Sequence, residues 1–189
     1  MGRTWETDTA YSRLFERQGK KAMAQENSFD IVSKVEMQEV KNAIDQALKE
    51  IRQRFDLKDS HSDITLKETE KEIQMASANE YKLEAVKEIL GQKLVKRGVS
   101  LKNLTYEKLE QATGQSVRQT IKLQVGIPIE KAKEIVRIVK DSKKKAQATI
   151  QGDTVRVSSK DRDELQGIIA LLRGKDLGVD LQFTNYRSN

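Results

Sequence analysis

Apolar positions recur along this chain in two alternating periods. From residue 28 onward, short stretches apolar at every second position give way to longer ones with apolar residues three and four apart. Phe29 and Ile31 alternate with polar neighbours and predict a strand. Met37, Val40, Ile44, Leu48, Ile51 and Phe55 recur at helical spacing behind Ser33 to Glu36, which has the spacing of a capping box. Ile64 and Leu66, then Ile73 and Met75, mark two more strands. Ser77 to Glu80 reads as a second capping box, Leu83, Val86, Leu90 and Leu94 as the next helical stripe, and Gly98 as its stop. Leu104 and Tyr106 close the series as a strand.

The same order then returns. Val117, Gln119, Ile121, Leu123 and Val125 occupy alternate positions, with Gln119 the one polar member. Gly126 and Pro128 punctuate a helix start, and Ile129, Ala132, Ile135, Val136 and Val139 form its stripe. Ala146, Ala148 and Ile150 lead through a two-residue Gly152-Asp153 turn to Val155 and Val157. Leu165, Ile168, Ile169 and Leu172 are the buried face of a last helix whose first turn holds Asp161, Asp163 and Glu164, the sign the helix dipole favours there. Leu181 and Phe183 end the pattern. Two echoes support duplication: Leu57-Lys58-Asp59-Ser60 with Val139-Lys140-Asp141-Ser142, and Leu101 to Tyr106 with Leu181 to Tyr186.

The order β-α-β-β-α-β, twice, predicts an α+β fold of two tandem ferredoxin-like domains, 28–110 and 111–189. Each repeat is near the lower size limit for a self-sufficient core, so a joint core or an interlocking of the two is expected. Residues 1–27 lack sustained periodicity and are read as a tail, with 1–22 either disordered or an overextended start. They hold no apolar h-region, and no apolar run in the chain approaches the length of a membrane span, so a cytoplasmic protein without a membrane partner is expected.

Charge changes the picture by being one-sided. The chain has 189 residues and a formal net charge of +6. Residues 28–110 hold 15 basic and 16 acidic groups, whereas residues 111–189 hold 15 and 9. In the second repeat the positions opposite the apolar ones are Arg118, Thr120, Lys122 and Gln124; Gln147, Thr149 and Gln151; Thr154, Arg156 and Ser158; Gln182, Thr184 and Tyr186. They contain no carboxylate. Lys140, Lys143, Lys144 and Lys145 adjoin them. Such a donor-rich face suits phosphates, and it equally suits the solvated side of an antiparallel sheet. Aromatic stacking of bases, the usual device of RNA readers with this topology, has one candidate here, Tyr186.

Candidate chemistry is sparse. No cysteine and a single histidine, His61, leave no thiol nucleophile and no disulfide. No G-x-G pair or P-loop occurs. Asp56, Asp59, His61 and Asp63 crowd one loop with no metal-site spacing and read as a surface turn. Arg54 to Lys58 is either a ligand corner or a helix end with cations in the favourable place. No catalytic constellation is legible, so a protein without enzymatic activity, cofactor or metal is expected.

Many separated segments agree, in order, with one known family. These are Ser28-Phe29-Asp30-Ile31-Val32-Ser33; Glu39-Val40 with Asn42-Ala43; Arg54-Phe55-Asp56-Leu57-Lys58; Lys96-Arg97-Gly98; Gly126-Ile127; Lys140-Asp141-Ser142-Lys143 through Gln147-Ala148 and Ile150-Gln151-Gly152-Asp153 to Val155-Arg156-Val157; Arg162-Asp163 and Leu165-Gln166; and Leu181 to Arg187. Over residues 28–187 the chain resembles the bacterial YajQ family of nucleotide-binding proteins, with Leu57 where a second aromatic is common and Ser158-Ser159 in place of a common Thr-Gly. The resemblance implies two ferredoxin-like domains that exchange N-terminal strands. It also implies no enzymatic activity, and as partners a nucleotide (cyclic di-GMP or GTP), tRNA or another RNA, or a transcription-related protein. It transfers no ligand-contact motif. From charge and face alone, the candidate nucleotide-binding residues are Arg118, Lys122, Lys140, Lys143, Lys144, Lys145, Gln147, Thr149, Arg156, Gln182 and Tyr186.

Overall fold

A computed structural model describes residues 26–188 apart from 113 and 115. Of the segment read as a tail, residues 1–25 lie outside the described residues, and Asn27 is the first residue of a strand. The elements run β1 (Asn27–Val32), α1 (Met37–Gln53), β2 (Asp63–Lys67), β3 (Glu72–Ser77), α2 (Glu80–Lys96), a 3-10 turn (Leu101–Asn103), β4 (Leu104–Tyr106), β5 (Glu110–Gln111), β6 (Val117–Leu123), α3 (Ile129–Asp141), β7 (Ala146–Gln151), β8 (Thr154–Ser159), α4 (Arg162–Arg173) and β9 (Gln182–Arg187). No described helix is long and apolar enough to cross a membrane.

The two sheets interlock. One has the order β2-β3-β6-β4, with β5 also on β6; the other has the order β7-β8-β1-β9. Each sheet therefore takes an inner strand from the opposite half of the chain. Val117, Ile121 and Leu123 of β6 complete the core under α1 and α2, while Phe29 and Ile31 of β1 complete the core under α3 and α4. The expected strand exchange is thus the architecture itself. A core of this size gains a whole strand of buried apolar surface that its own half of the chain lacks.

The ladders show how true the repeat is. The hairpins close at Lys67↔Glu72 and Gln151↔Thr154, and the inner strands meet at Ile73↔Ile121 and Val155↔Ile31. Gln119 thereby stands where the other unit has Phe29. It is buried, its Nε2 donates to the Glu107 carbonyl (2.8 Å), and its Oε1 has no partner among the described residues. The first sequence echo is structural: Ser60 Oγ and Ser142 Oγ donate to the carbonyls of Leu57 and Val139. The second is out of register by three, because Tyr106 pairs with Ile121 and Phe183 with Ile31.

Helix starts depart from the sequence reading. Glu36 caps α1 with no side-chain bond. Ser33 is buried where the chain crosses from one sheet to the other, and its Oγ accepts from Asn103 Nδ2 (3.4 Å). Ser77 remains in β3, bonded to Ser62 Oγ (2.8 Å), and Asn79 caps α2 by accepting from Lys82 N (3.0 Å). The α1 stripe ends at Ile51; Phe55 lies beyond the helix and is 84% exposed. Gly98 does stop α2, with Val99 N donating to the Leu94 carbonyl (2.9 Å).

Candidate functional site

Helices cover one side of each sheet, and the other side carries the polar positions. Strand exchange divides the candidate face in two. Arg118 and Lys122 sit on the first sheet, opposite Ala76 and Glu72 respectively. Lys122 Nζ also pairs with Glu107, whose carboxylate raises the lysine pKa. Gln147, Thr149, Arg156 and Gln182 stay on the second sheet, where β1 brings in Asp30.

Asp30 cancels the central cation of that face. Arg156 Nε and Nη2 donate to Asp30 Oδ1 and Oδ2 at 2.7 and 3.0 Å, a bidentate fork. Asn185 Nδ2 adds a bond to Oδ2 at 2.6 Å. The Arg156 hydrogen bond holds the Asp30 carboxyl below its usual range, against the opposing effect of burial. Gln182 is spent at the junction of the units, its Nε2 donating to the Lys34 carbonyl (3.1 Å) and to Asp180 Oδ2 (3.0 Å).

Tyr186 is not on this face. A register shift in β9 opposite Ser28–Asp30, with Asn185 at φ 53°, inverts the alternation there. Asn185 takes the polar side, and the Tyr186 ring lies 6.0 Å from the ring of core Phe29, with Phe183 at 5.8 Å. The second sheet's open face therefore loses its one candidate for base stacking.

The lysine run is what remains together. Ser142 Oγ closes the end of α3, Lys143 adopts φ 56°, and the chain turns into β7. Lys144 folds back: its Nζ is 3.4 Å from Glu164 Oε2, and its stem crosses Gly167, where a Cβ would come within 2.7 Å of it. Lys140, Lys143 and Lys145 are exposed and have no ion-pair partner among the described residues. Beside them, Lys145, Gln147, Ser158 and Lys160 line a cleft of about 380 Å³, which Glu26 and Asp161 also border. Gln147 and Thr149 continue outward along exposed positions of β7.

A feature absent from the sequence reading lies on the first unit. Tyr81, Val95, Leu101 and Tyr106, all exposed, line a groove of about 1030 Å³ over α2, and exposed Phe55 follows Arg54 at its rim. Lys87 Nζ stands 4.7 Å from the Tyr106 ring centre, and burial raises the Tyr106 pKa. Arg54 is the C-cap of α1, its N–H donating to the Glu50 carbonyl, and its side chain is locked to Asp56 (2.8 Å), so the Arg54–Lys58 segment is both the end of that helix and a corner of this groove. The available signal was Tyr81 and Val95, apolar residues off the Leu83–Leu94 stripe.

The model of the family described as "Nucleotide-binding protein YajQ-like" matches residues 27–187. A nucleotide-binding protein of Koribacter versatilis is 66% identical over 164 residues, spanning 87% of this chain and 99% of that protein. One from Solibacter usitatus is 62% identical over 164 residues, with the same coverage of each. One from Desulfitobacterium hafniense is 56% identical over 165 residues, 87% of this chain and all of that protein.

Proposed function

The chain belongs to the YajQ-like family of nucleotide-binding proteins, and on that premise we propose that it binds a nucleotide, cyclic di-GMP or GTP, without turning it over. The phosphates lie against Lys140, Lys143 and Lys145, with Gln147 and Thr149 donating alongside. The observation that carries this placement is the state of the cations. Of the candidate side chains, Arg156, Lys122 and Lys144 are committed to Asp30, Glu107 and Glu164. Lys140, Lys143 and Lys145, three lysines within six residues, stay uncommitted among the described residues, and Lys145 lines the cleft. Phosphate recognition needs such cations as point charges together with neutral donors.

Titration calorimetry with each nucleotide on the wild type and on the Lys140→Ala/Lys143→Ala/Lys145→Ala variant tests this. We expect affinity to fall about tenfold or more in the variant, and to fall with salt in the wild type. Arg156→Ala is expected to lower stability and leave affinity unchanged. Unaltered binding by the triple variant rejects the site, and absence of binding by the wild type rejects the reading. An RNA ligand would announce itself by a steep salt slope with tRNA, roughly −0.7 per phosphate neutralised on a single strand.

A further inference from the structure

An edge strand offers unpaired N–H and C=O groups to any other strand unless something blocks it. Three of the sheet edges in this fold are blocked. β2 has Asp63 and Lys67 at its ends. β4 and β5 are only three and two residues long. β9 is bent by its register shift and ends on Arg187. β7 has none of these devices. Its six residues include no charge and no proline, and they pair with β8 at six successive positions. Ala146, Ala148 and Ile150 on its core side are half-buried, while Val155 and Val157 on the same side of β8 are fully buried. The apolar face of the second sheet thus runs out to an uncovered edge.

We propose that β7 is a self-association edge, at which two copies of the chain pair β7 against β7, antiparallel, about a two-fold axis at Thr149. The two four-stranded sheets become one continuous sheet. Facing side chains must lie on the same side of a sheet, so a two-fold axis between like strands passes through a residue. An axis at Ala148 sets Lys145 against Gln151. An axis at Thr149 sets Gln147 against Gln151, covers Ala148 with Ile150, and brings Lys145 against the Gly152–Asp153 turn. Lys145 and Asp153 are both exposed, and neither has an ion-pair partner among the described residues. The symmetry makes that match twice, and it leaves Lys140 and Lys143 as the unpaired cations of the proposed phosphate site. Facing threonines and facing opposite charges are both favourable cross-strand pairs. A foreign strand would meet the same backbone groups but neither paired charge.

The chain contains no cysteine, so a single introduced one reports a single approach. Directly opposed Cβ atoms stand within about 5 Å, close enough for a disulfide to form with small adjustment. Thr149→Cys is therefore expected to link to itself under mild oxidation. Gln151→Cys is expected to link to Gln147→Cys in a mixture but not to itself. By sedimentation the full-length wild type is expected to dimerise with concentration. Lys145→Glu should weaken that dimer several-fold, and Lys145→Glu with Asp153→Lys should restore it. All are exposed positions, and circular dichroism checks that each variant is folded. A wild type monomeric at every concentration, or Thr149→Cys linking no faster than Gln151→Cys, overturns the proposal and leaves the edge to a strand from another protein.

Discussion

The Asp30–Arg156 fork decides how the open face of the second sheet behaves. Asp30 retains 14% side-chain exposure and Arg156 32%, so the pair is neither fully solvated nor fully dry. The Asp30 carboxyl titrates below its unfolded value because of the Arg156 hydrogen bond. A carboxylate with a depressed folded pKa contributes stability above the unfolded pKa and loses it as pH falls through the folded one. Asp30→Asn should therefore melt below the wild type by a constant margin from neutral pH down to about 5, and the margin should close below about pH 4. Thermal unfolding across that range checks it; a margin that widens in acid contradicts the assignment. Lys144 offers a second residue-scale test. Gly167 lies under the flexible end of that lysine. Gly167→Ala should push the ammonium off Glu164 while gaining up to about 1 kcal/mol of helix propensity. Melting temperature should hold or rise, and nucleotide affinity should rise with it as a fourth lysine joins the edge.

At the scale of elements, the periods of apolar residues located the strands and helices, because those periods are set by the core each element faces. Helix ends and strand tips were less legible. Ser33 and Ser77 carry cap spacing, yet Ser33 is consumed at the crossing between sheets and Ser77 by the β3 ladder. Both constraints come from residues far away in sequence. The bulge in β9 hid in the same way: alternation assigned Tyr186 to the polar face, and Asn185 at positive φ turns it over. The crossing is the strictest element. Gly126 has φ 81°, its N–H donates to the Ser33 carbonyl (2.7 Å), and a Cβ there would stand 2.6 Å from Asp153 Oδ2. Gly126→Ala meets both the left-handed penalty of about 1–2 kcal/mol and that clash. Chemical denaturation should show a loss of at least that size. The groove over α2 is the opposite case. Tyr81 is 86% exposed, and the matching position of α4 is Asp163. Phe55→Ser and Tyr81→Ser should change stability by no more than about 0.5 kcal/mol, as expected of surface positions the fold does not need.

The whole molecule redistributes what its halves carry. Along the chain the basic excess belongs to residues 111–189. Exchange sends Arg118 and Lys122 to the first unit and Asp30 to the second, so residues 34–123 total 17 basic and 15 acidic groups, and residues 27–33 with 124–188 total 13 and 10. The units become nearly equal in charge, and the proposed site is distinguished by uncommitted lysines rather than by net sign. The same exchange ties folding together. Buried Asn103 spans the junction: its Nδ2 donates to Ser33 Oγ, its Oδ1 accepts from Asp180 N (3.2 Å), and its carbonyl accepts from Gln124 N (2.8 Å). More decisive is the position of the traded strands. β6 lies between β3 and β4, and β1 between β8 and β9, so each half of the chain lacks an inner strand of its own sheet and carries the other's. Neither half can close its core alone, since removing an inner strand both uncovers buried apolar side chains and orphans a ladder of hydrogen bonds on each side. Fragments 26–112 and 116–189, made separately, should each show no cooperative thermal transition; mixed, they should recover one, together with the nucleotide affinity of the intact chain. Calorimetry of the intact protein should show a single transition. A fragment that melts cooperatively by itself would place the missing strand outside what its core requires and would contradict the account of how these two units hold each other together.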